Sequence, residues 1–129
     1  MLKLITFPDS FGEPSASPFC VKAMCLLEMS GQTWSAKFTS DPRRAPNGKL
    51  PVLEHDGQLI ADSDAIRAHL ENAFEFDFDA PLDPQQRATS RAIIRMVEEH
   101  LYFVMICDRW LNEENWAQVK KVLFGHMPF

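Results

Sequence analysis

The alternation of apolar and polar positions predicts a strand followed by a helix at the start of the chain. Residues 2–7 are mostly aliphatic, β-branched or aromatic, and Pro8 ends the run, which is typical of a short buried strand. After a loop rich in serine and proline, Ser17 and Pro18 match the cap and the first position of a helix. Gly31 is expected to end this helix. Because only two charged residues, Lys22 and Glu28, occur between Pro18 and Gly31, we expect the helix to be covered on more than one side.

The next pattern predicts three further strands and a second helix. Residues 33–38 favour a strand, and residues 50–54 and 58–61 flank an Asp-Gly turn that favours a hairpin. Ser63 then precedes an apolar pattern with helical spacing, which predicts a helix capped by that serine. Asp64 falls in the first turn, where the helix dipole favours an anion. The predicted order is therefore βαβ followed by ββα.

The last third of the chain is predicted to be helical. Residues 73–82 combine three phenylalanines with acids and indicate a linker, and Asp83–Gln86 has the pattern of a capping box with proline at the first helical position. No glycine or proline follows until after residue 111, so a helix of about 28 residues is expected, about 42 Å long. A final helix is predicted over residues 113–124. The long helix should carry one apolar stripe, formed by Ile93, Val97, His100, Val104, Cys107 and Leu111.

Composition and charge narrow the class of protein. The 129 residues are 46% hydrophobic and 24% charged, which is the balance of a soluble globular chain with one or two small domains. The net charge is -5, and no stripe of Lys and Arg with interleaved aromatics occurs, so nucleic acid is not an expected partner. No segment approaches the roughly 20 apolar residues of a membrane span, and no export signal is visible at the start.

The three cysteines, Cys20, Cys25 and Cys107, are odd in number and lack the spacing of a zinc site with histidine. We therefore expect reduced thiols in the cytoplasm and no bound metal, with Cys25 and Cys107 as core residues. His100, beside two glutamates, is expected to be a packed residue that faces the first domain rather than a metal ligand, because consecutive helical residues point in different directions. Arg43 and its neighbour are expected to form a solvated loop pair.

The first string with candidate chemistry is Ser17-Pro18-Phe19-Cys20, at the start of the first helix. The free amides and the positive end of the helix dipole stabilise a thiolate, whether it belongs to a cysteine or to a bound thiol. Ser17 could donate a hydrogen bond to such a sulfur, and Cys20 could contact it. For this string taken alone, helix capping by Ser17 and core packing by Cys20 are the favoured explanation of the same residues.

Two more strings have candidate binding geometry. Lys49-Leu50-Pro51-Val52 places a proline at the opening of a strand, where a cis bond is possible. In Ala61-Asp62-Ser63-Asp64 a helix-capping serine follows an acid, which suits a ligand carboxylate held by a hydroxyl and amides while Asp62 takes an amine.

In this order and separation the three strings resemble the N-terminal thioredoxin-like domain of the glutathione transferase superfamily. Gln86–Ala88, Arg95–Tyr102 and Arg109–Trp110 resemble the start of the helical domain in the failed-axon-connections and metaxin-like branch of that superfamily. The resemblance implies an α/β protein with a thioredoxin-like βαβ-ββα glutathione-binding domain over residues 1–74. A partial all-α domain over residues 75–129 would follow.

The resemblance also implies a role for each motif residue. Pro51 would be cis, the Leu50 backbone would pair with the cysteinyl part of glutathione, Lys49 would lie near the glycyl part, and Ser17 would activate the sulfur. Ser17 and Cys20 are the catalytic candidates. The implied glutathione-binding set is Ser17, Phe19, Lys49, Leu50, Pro51, Asp62 and Ser63, with Asp62 and Ser63 at the γ-glutamyl end. The implied protein is a cytoplasmic detoxification enzyme, a homodimer, that conjugates glutathione to a small electrophile.

The sequence departs from the family pattern in two ways. The loop before Ser17 is longer than usual, which makes Ser15 an alternative for the contact with sulfur. The chain stops at Phe129 after two helices of the second domain, so we expect a truncated member with exposed apolar surface that favours oligomerisation. Two rival functions follow: a non-catalytic interaction module in the manner of metaxins, which act in mitochondrial import, and a glutaredoxin-like oxidoreductase that uses Cys20.

Overall fold

One mixed sheet organises the first part of the chain in the computed structural model, which describes residues 1–125. Its strands stand in the order β2-β1-β3-β4. β1 and β2 are parallel, and helix α1 makes the crossover that parallel neighbours need, whereas β1–β3 and β3–β4 are antiparallel. The predicted α/β thioredoxin-like order is therefore confirmed. The elements are β1 (Leu2–Thr6), α1 (Pro18–Met29), β2 (Trp34–Phe38), β3 (Val52–His55), β4 (Gln58–Ala61) and α2 (Ser63–Ala73).

The core lies between the sheet and helices α1 and α2. Alternate residues of β1 are buried because successive strand side chains point to opposite faces. On α1 the buried side chains form one face, and Cys25 and Met29 are exposed on the opposite face, as helical spacing requires. The expectations that α1 is covered on more than one side and that Cys25 is a core thiol are therefore wrong. The core comprises Leu2, Leu4, Ala23, Leu26, Leu27, Leu53, Ile60, Ile66 and Leu70.

The β3–β4 hairpin closes with the predicted two-residue turn. His55 pairs with Gln58, and the residues between them, Asp56 and Gly57, have φ of 48° and 81°. Both values lie in the left-handed region that a tight hairpin turn of this length requires, which is why Asp-Gly favours it. The sequence signal was local, and the prediction is confirmed.

The chain divides into two compact units, Met1–Ala80 and Pro81–Phe129, and residues 74–80 belong to the first. Phe74, Phe76 and Phe78 are half-buried against the core. Arg67 of α2 holds the segment from the helix side, since its guanidinium pairs with Asp79 at 2.7 Å and lies 5.5 Å from the centroid of the Phe78 ring.

The second unit contains the expected long helical run. It begins with the predicted capping box, in which Asp83 accepts from the Gln86 amide at 2.9 Å and the Gln86 side chain accepts from the Asp83 amide at 3.0 Å. A π-helical turn interrupts the run, so that it divides into three parts before the last helix. The elements are α3 (Pro84–Met96), the π turn (Val97–Leu101), α4 (Tyr102–Leu111) and α5 (Glu113–Phe124).

The predicted apolar stripe on this run is not buried among the described residues. No described residue of α3, the π turn or α4 is buried, and Ile93, which precedes the π turn, is 51% exposed, so packing covers no stripe along this run. His100, inside that turn, is exposed, and so are Val104, Cys107 and Leu111. The expectations of a packed His100 and a core Cys107 are therefore wrong.

The α4–α5 pair has its own small core. The rings of Trp110, Trp116 and Phe124 lie with centroids 5.5 to 6.2 Å apart, and Val119 is buried. Within residues 1–125, no helix is long and apolar enough to cross a membrane.

Candidate functional site

Ser17 lies at the N-cap of α1 with an extended backbone, φ −110° and ψ 126°. Its carbonyl accepts the first helical hydrogen bond, from the Val21 amide at 3.1 Å, and Pro18 fills the first position. Among residues 1–125, which the structure describes, the Ser17 hydroxyl makes no capping hydrogen bond to an amide of α1. Because the first amides of a helix have no partner inside it, this end of α1 combines an uncommitted capping hydroxyl with the positive end of the dipole.

Ser15 links the loop before α1 to the end of β1. It is buried, its Oγ accepts from the Ser17 amide at 3.4 Å, and the Thr6 hydroxyl at the end of β1 donates to it at 3.5 Å. These contacts tie the residue before the helix to the sheet. The structure thus commits the Ser15 hydroxyl to orienting the backbone at Ser17.

The unusual length of this loop has a local explanation. Ser10 and Glu13 exchange two backbone hydrogen bonds of 3.0 Å around Phe11 and Gly12, whose φ values are 59° and 80°. This is a two-residue turn of the kind that closes hairpins. The extra residues therefore fold outward and back, and the Ala16 amide donates to the Pro8 carbonyl at 3.3 Å where the chain returns.

The second string lies at the start of β3. The Leu50–Pro51 peptide bond is cis, as the resemblance implied, and both residues are buried while Lys49 is exposed. The Pro51 carbonyl accepts a hydrogen bond of 3.3 Å from the Asp62 amide. That bond joins the second string to the third.

The third string opens α2, but its cap differs from the prediction. Asp62, not Ser63, is the N-cap, and its carboxylate accepts from the Asp64 amide at 2.8 Å. The Asp62 backbone has a φ of 84°, which sequence reasoning from the serine did not anticipate. Ser63 is the first helical residue and is buried, and its hydroxyl makes no hydrogen bond within residues 1–125. The predicted capping by Ser63 is therefore wrong.

Residues from all three strings meet at one edge of the sheet. Val52 of β3 pairs with Ile5 of β1 on one side and with Ala61 of β4 on the other. Buried Cys20 packs with Leu50 and Val52 in a cluster that Ala61 also joins. The structure thus brings the start of α1, the start of β3 and the end of β4, which leads into α2, together around one apolar cluster, in which the Cys20 thiol is fully enclosed.

An ion pair at this edge was missed by sequence reasoning. The Lys22 ammonium of α1 lies 2.6 Å from the Asp64 carboxylate of α2, and each side chain is 26% exposed. The two residues are 42 positions apart. No local pattern could have paired them, since ordinary lysines and aspartates occur throughout the chain.

Other candidate features lie outside these strings. Among the described residues, no group of three or more His, Cys, Asp or Glu side chains is arranged to hold a metal ion. A shallow groove of about 540 Å³ is lined by residues of α3 and the segment before it, and it includes none of the predicted site residues.

Comparison with known proteins points to one family. A family model described as the glutathione S-transferase N-terminal domain matches residues 18–115. An isoprene-epoxide–glutathione S-transferase of Rhodococcus sp. (strain AD45) is 34% identical over 122 residues, covering 90% of this chain and 51% of that protein. The solved β-etherase of Sphingobium sp. strain SYK-6 superposes with a TM-score of 0.66 at 25% identity, over 87% of this chain and 48% of that one.

Two further relatives confirm the predicted branch. Failed axon connections of Drosophila melanogaster is 33% identical over 113 residues, which cover 88% of this chain and 27% of that protein. Metaxin-1 of Mus musculus is 28% identical over an alignment of 130 positions, which covers 99% of this chain and 41% of that protein. The chain thus spans about half the length of the Rhodococcus relative and less of these two. With its thioredoxin-like sheet and the match over residues 18–115, the chain belongs to the glutathione S-transferase N-terminal domain family.

Proposed function

We propose that this chain binds glutathione at the edge where the three strings meet and presents its sulfur, as a thiolate, to a small electrophile. The observation that carries the proposal is the single cluster in which Cys20 of α1 packs with Leu50, Val52 and Ala61, the residue that ends β4 just before α2. Because a peptide with one thiol and two charged ends needs several anchors at once, residues gathered from three separate strings suit it better than any one string does.

Ser17 is the residue that we assign to the sulfur. Its hydroxyl stands at the start of α1 and is not used as a helix cap. A hydrogen bond from this hydroxyl, together with the positive end of the helix dipole, favours the charged form of a thiol and lowers its pKa. Phe19 would lie alongside, and Cys20, which is enclosed in the cluster, would support the site by packing.

The remaining residues of the site would hold the peptide. The Leu50 backbone beside Pro51 would pair with the cysteinyl unit, and exposed Lys49 would attract the glycyl carboxylate. Asp62 would take the γ-glutamyl amine. The Ser63 hydroxyl and the first amides of α2 would take the neighbouring carboxylate, as the N-terminus of a helix favours an anion.

We further propose an epoxide as the electrophile, because the Rhodococcus relative is named for one. The thiolate would attack an epoxide carbon, so that a C–S bond forms, a C–O bond breaks and the resulting alkoxide takes a proton from water. The test is calorimetric titration with glutathione, followed by an assay of conjugation to isoprene epoxide and to a chloronitrobenzene. Absence of binding at millimolar glutathione would sink the proposal.

Substituting Ser17→Ala separates sulfur activation from peptide binding. Loss of one hydrogen bond to a thiolate should raise the pKa of the bound thiol by about one unit and slow conjugation about tenfold near neutral pH, with the Kd nearly unchanged. The ultraviolet absorbance of the bound thiolate, followed against pH, reports that pKa directly. Ser35→Ala on the exposed face of β2 is the matched control and should leave both readouts unchanged.

A non-catalytic interaction module of the same fold is the second candidate. It is favoured by the match to failed axon connections and to Metaxin-1, which extends over nearly all of this chain. Binding of glutathione without turnover of either electrophile would support this candidate against the enzyme. Turnover that depends on Ser17 would exclude it.

A further inference from the structure

The first turn of α2 carries more negative charge than a binding site for a carboxylate should. Asp62 caps the helix and Asp64 follows two residues later, so two carboxylates flank Ser63. Both already occupy the positive end of the helix dipole. A ligand carboxylate brought to the same amides would therefore meet like charge on either side.

The ligand itself can neutralise only one of these two carboxylates. In the proposed function, which this inference rests on, the γ-glutamyl group brings one amine and one carboxylate to the start of α2. The amine would pair with Asp62, and the carboxylate with Ser63 and the amides. The charge of Asp64 would then be left over, in the same first turn of α2 as the incoming carboxylate.

The Lys22–Asp64 pair supplies the missing positive charge. Lys22 reaches across from α1 to within 2.6 Å of Asp64, and both side chains are about three-quarters buried, which reduces screening by water. We propose that Lys22 determines the affinity of this site for a carboxylate by neutralising Asp64, rather than by holding α1 against α2. The distinction is testable, because neutralising Asp64 by mutation should replace Lys22 in the first role but not in the second.

The size of the effect follows from Coulomb's law for two charges within one helical turn, a separation on the order of 6 Å. Two like charges about 6 Å apart, at an effective dielectric constant between those of a protein surface and of water, weaken binding about tenfold, which corresponds to about 1.4 kcal/mol. We therefore expect Lys22→Met to raise the Kd for glutathione about tenfold. The double variant Lys22→Met/Asp64→Asn should return to within about threefold of the wild type.

The experiment is calorimetric titration of the full chain with glutathione, with folding of each variant checked by circular dichroism. Lys37→Met, which removes an exposed lysine from β2, is the matched control and should bind as the wild type does. Asp64→Asn alone provides a second test should Lys22→Met fold poorly. It should bind glutathione at least as tightly as the wild type, and tenfold weaker binding would overturn the inference.

Two further readouts separate charge from packing. The loss in Lys22→Met should shrink as salt rises from 0.05 M to about 0.5 M, because salt screens partly exposed charges. It should also vanish for 4-aminobutyryl-cysteinylglycine, which keeps the amine of glutathione and lacks the carboxylate. A double variant as weak as Lys22→Met, or an equal loss with both peptides, would overturn the inference alone. A wild type that binds no glutathione would overturn the proposed function and the inference together.

Discussion

Replacing Arg67 by methionine tests how residues 74–80 are fixed to the first unit. Methionine keeps much of the aliphatic length but removes the guanidinium that lies 2.7 Å from Asp79 and 3.3 Å from Glu71. Glu71 also accepts a hydrogen bond from the Phe78 amide at 3.1 Å. The substitution therefore leaves two carboxylates beside one another without their shared cation, at the point where the segment joins α2.

The magnitude can be worked from the burial of the three groups. Arg67, Asp79 and Glu71 have 17%, 24% and 25% of their side chains exposed, between the limits of surface pairs and buried pairs. Surface pairs contribute about 0 to 1 kcal/mol, and breaking a buried pair costs about 3 to 5 kcal/mol. Burial lowers the pKa of Arg67, yet the hydrogen bonds and charges of Asp79 and Glu71 outweigh it and raise that pKa overall. We therefore expect Arg67→Met to lower the free energy of unfolding by about 2 kcal/mol, including the lost contact with the Phe78 ring. For a unit of this size, such a loss lowers the melting temperature by about 8 to 16 °C.

Two measurements report the effect in the full chain. Thermal unfolding followed by circular dichroism should show the lower melting temperature, and hydrogen exchange should show lost protection in residues 74–80. Arg43→Met is the matched control, since Arg43 holds Asp41 through two bonds of 2.8 Å but is 86% exposed. The Arg43 side chain and amide lower the pKa of Asp41 to about 2, and because the pair is in water its loss should leave the melting temperature unchanged. Equal melting and equal exchange in the two variants would refute the argument.

Two further predictions concern the titrating groups. Burial and the neighbouring His55, whose Nδ1 lies 2.9 Å from Nε2 of His69, lower the pKa of His69 below its ordinary 6.5. As the pH falls from about 7 through 6.5 and then through the lowered pKa of folded His69, the unfolded chain binds more protons than the folded one, so the melting temperature should fall. His69→Gln should flatten this dependence of melting temperature on pH. An unchanged dependence in the variant would contradict the prediction. Titration with a chromogenic disulfide should modify Cys25 and Cys107 in the native protein and Cys20 only in denaturant. Rapid modification of a third thiol in the native state would show that Cys20 is accessible.

The parts of the fold that sequence predicted are those with local causes. The Asp-Gly turn after His55, the Asp83–Gln86 capping box and the bounds of α5 each depend on residues a few positions apart. Period-two burial in β1 is equally local. Because such signals need no knowledge of the tertiary structure, they could be read from the chain alone.

The parts that sequence missed depend on contacts between distant segments or on small shifts of phase. Lys22 meets Asp64 only because α1 and α2 pack side by side. The π turn at Val97–Leu101 gives no clear compositional signal, yet it moves every later side chain around the helix. At the start of α2, two neighbouring polar residues can both serve as caps, and the positive φ of Asp62 decided which one does.

The burial of Cys20 bears on which kind of thiol chemistry this edge of the sheet can support. An oxidoreductase needs an accessible thiolate at the start of α1, where the dipole stabilises it. This chain has the hydroxyl of Ser17 at that point, its nearest thiol is enclosed with Leu50 and Val52, and Cys25 lies on the opposite face of the helix. A sulfur that reacts here is therefore best supplied by a ligand, as the proposed function requires. The enclosed Cys20 thus favours the proposed transferase-type and binding functions over the oxidoreductase, and the Ser17→Ala titration distinguishes the first two.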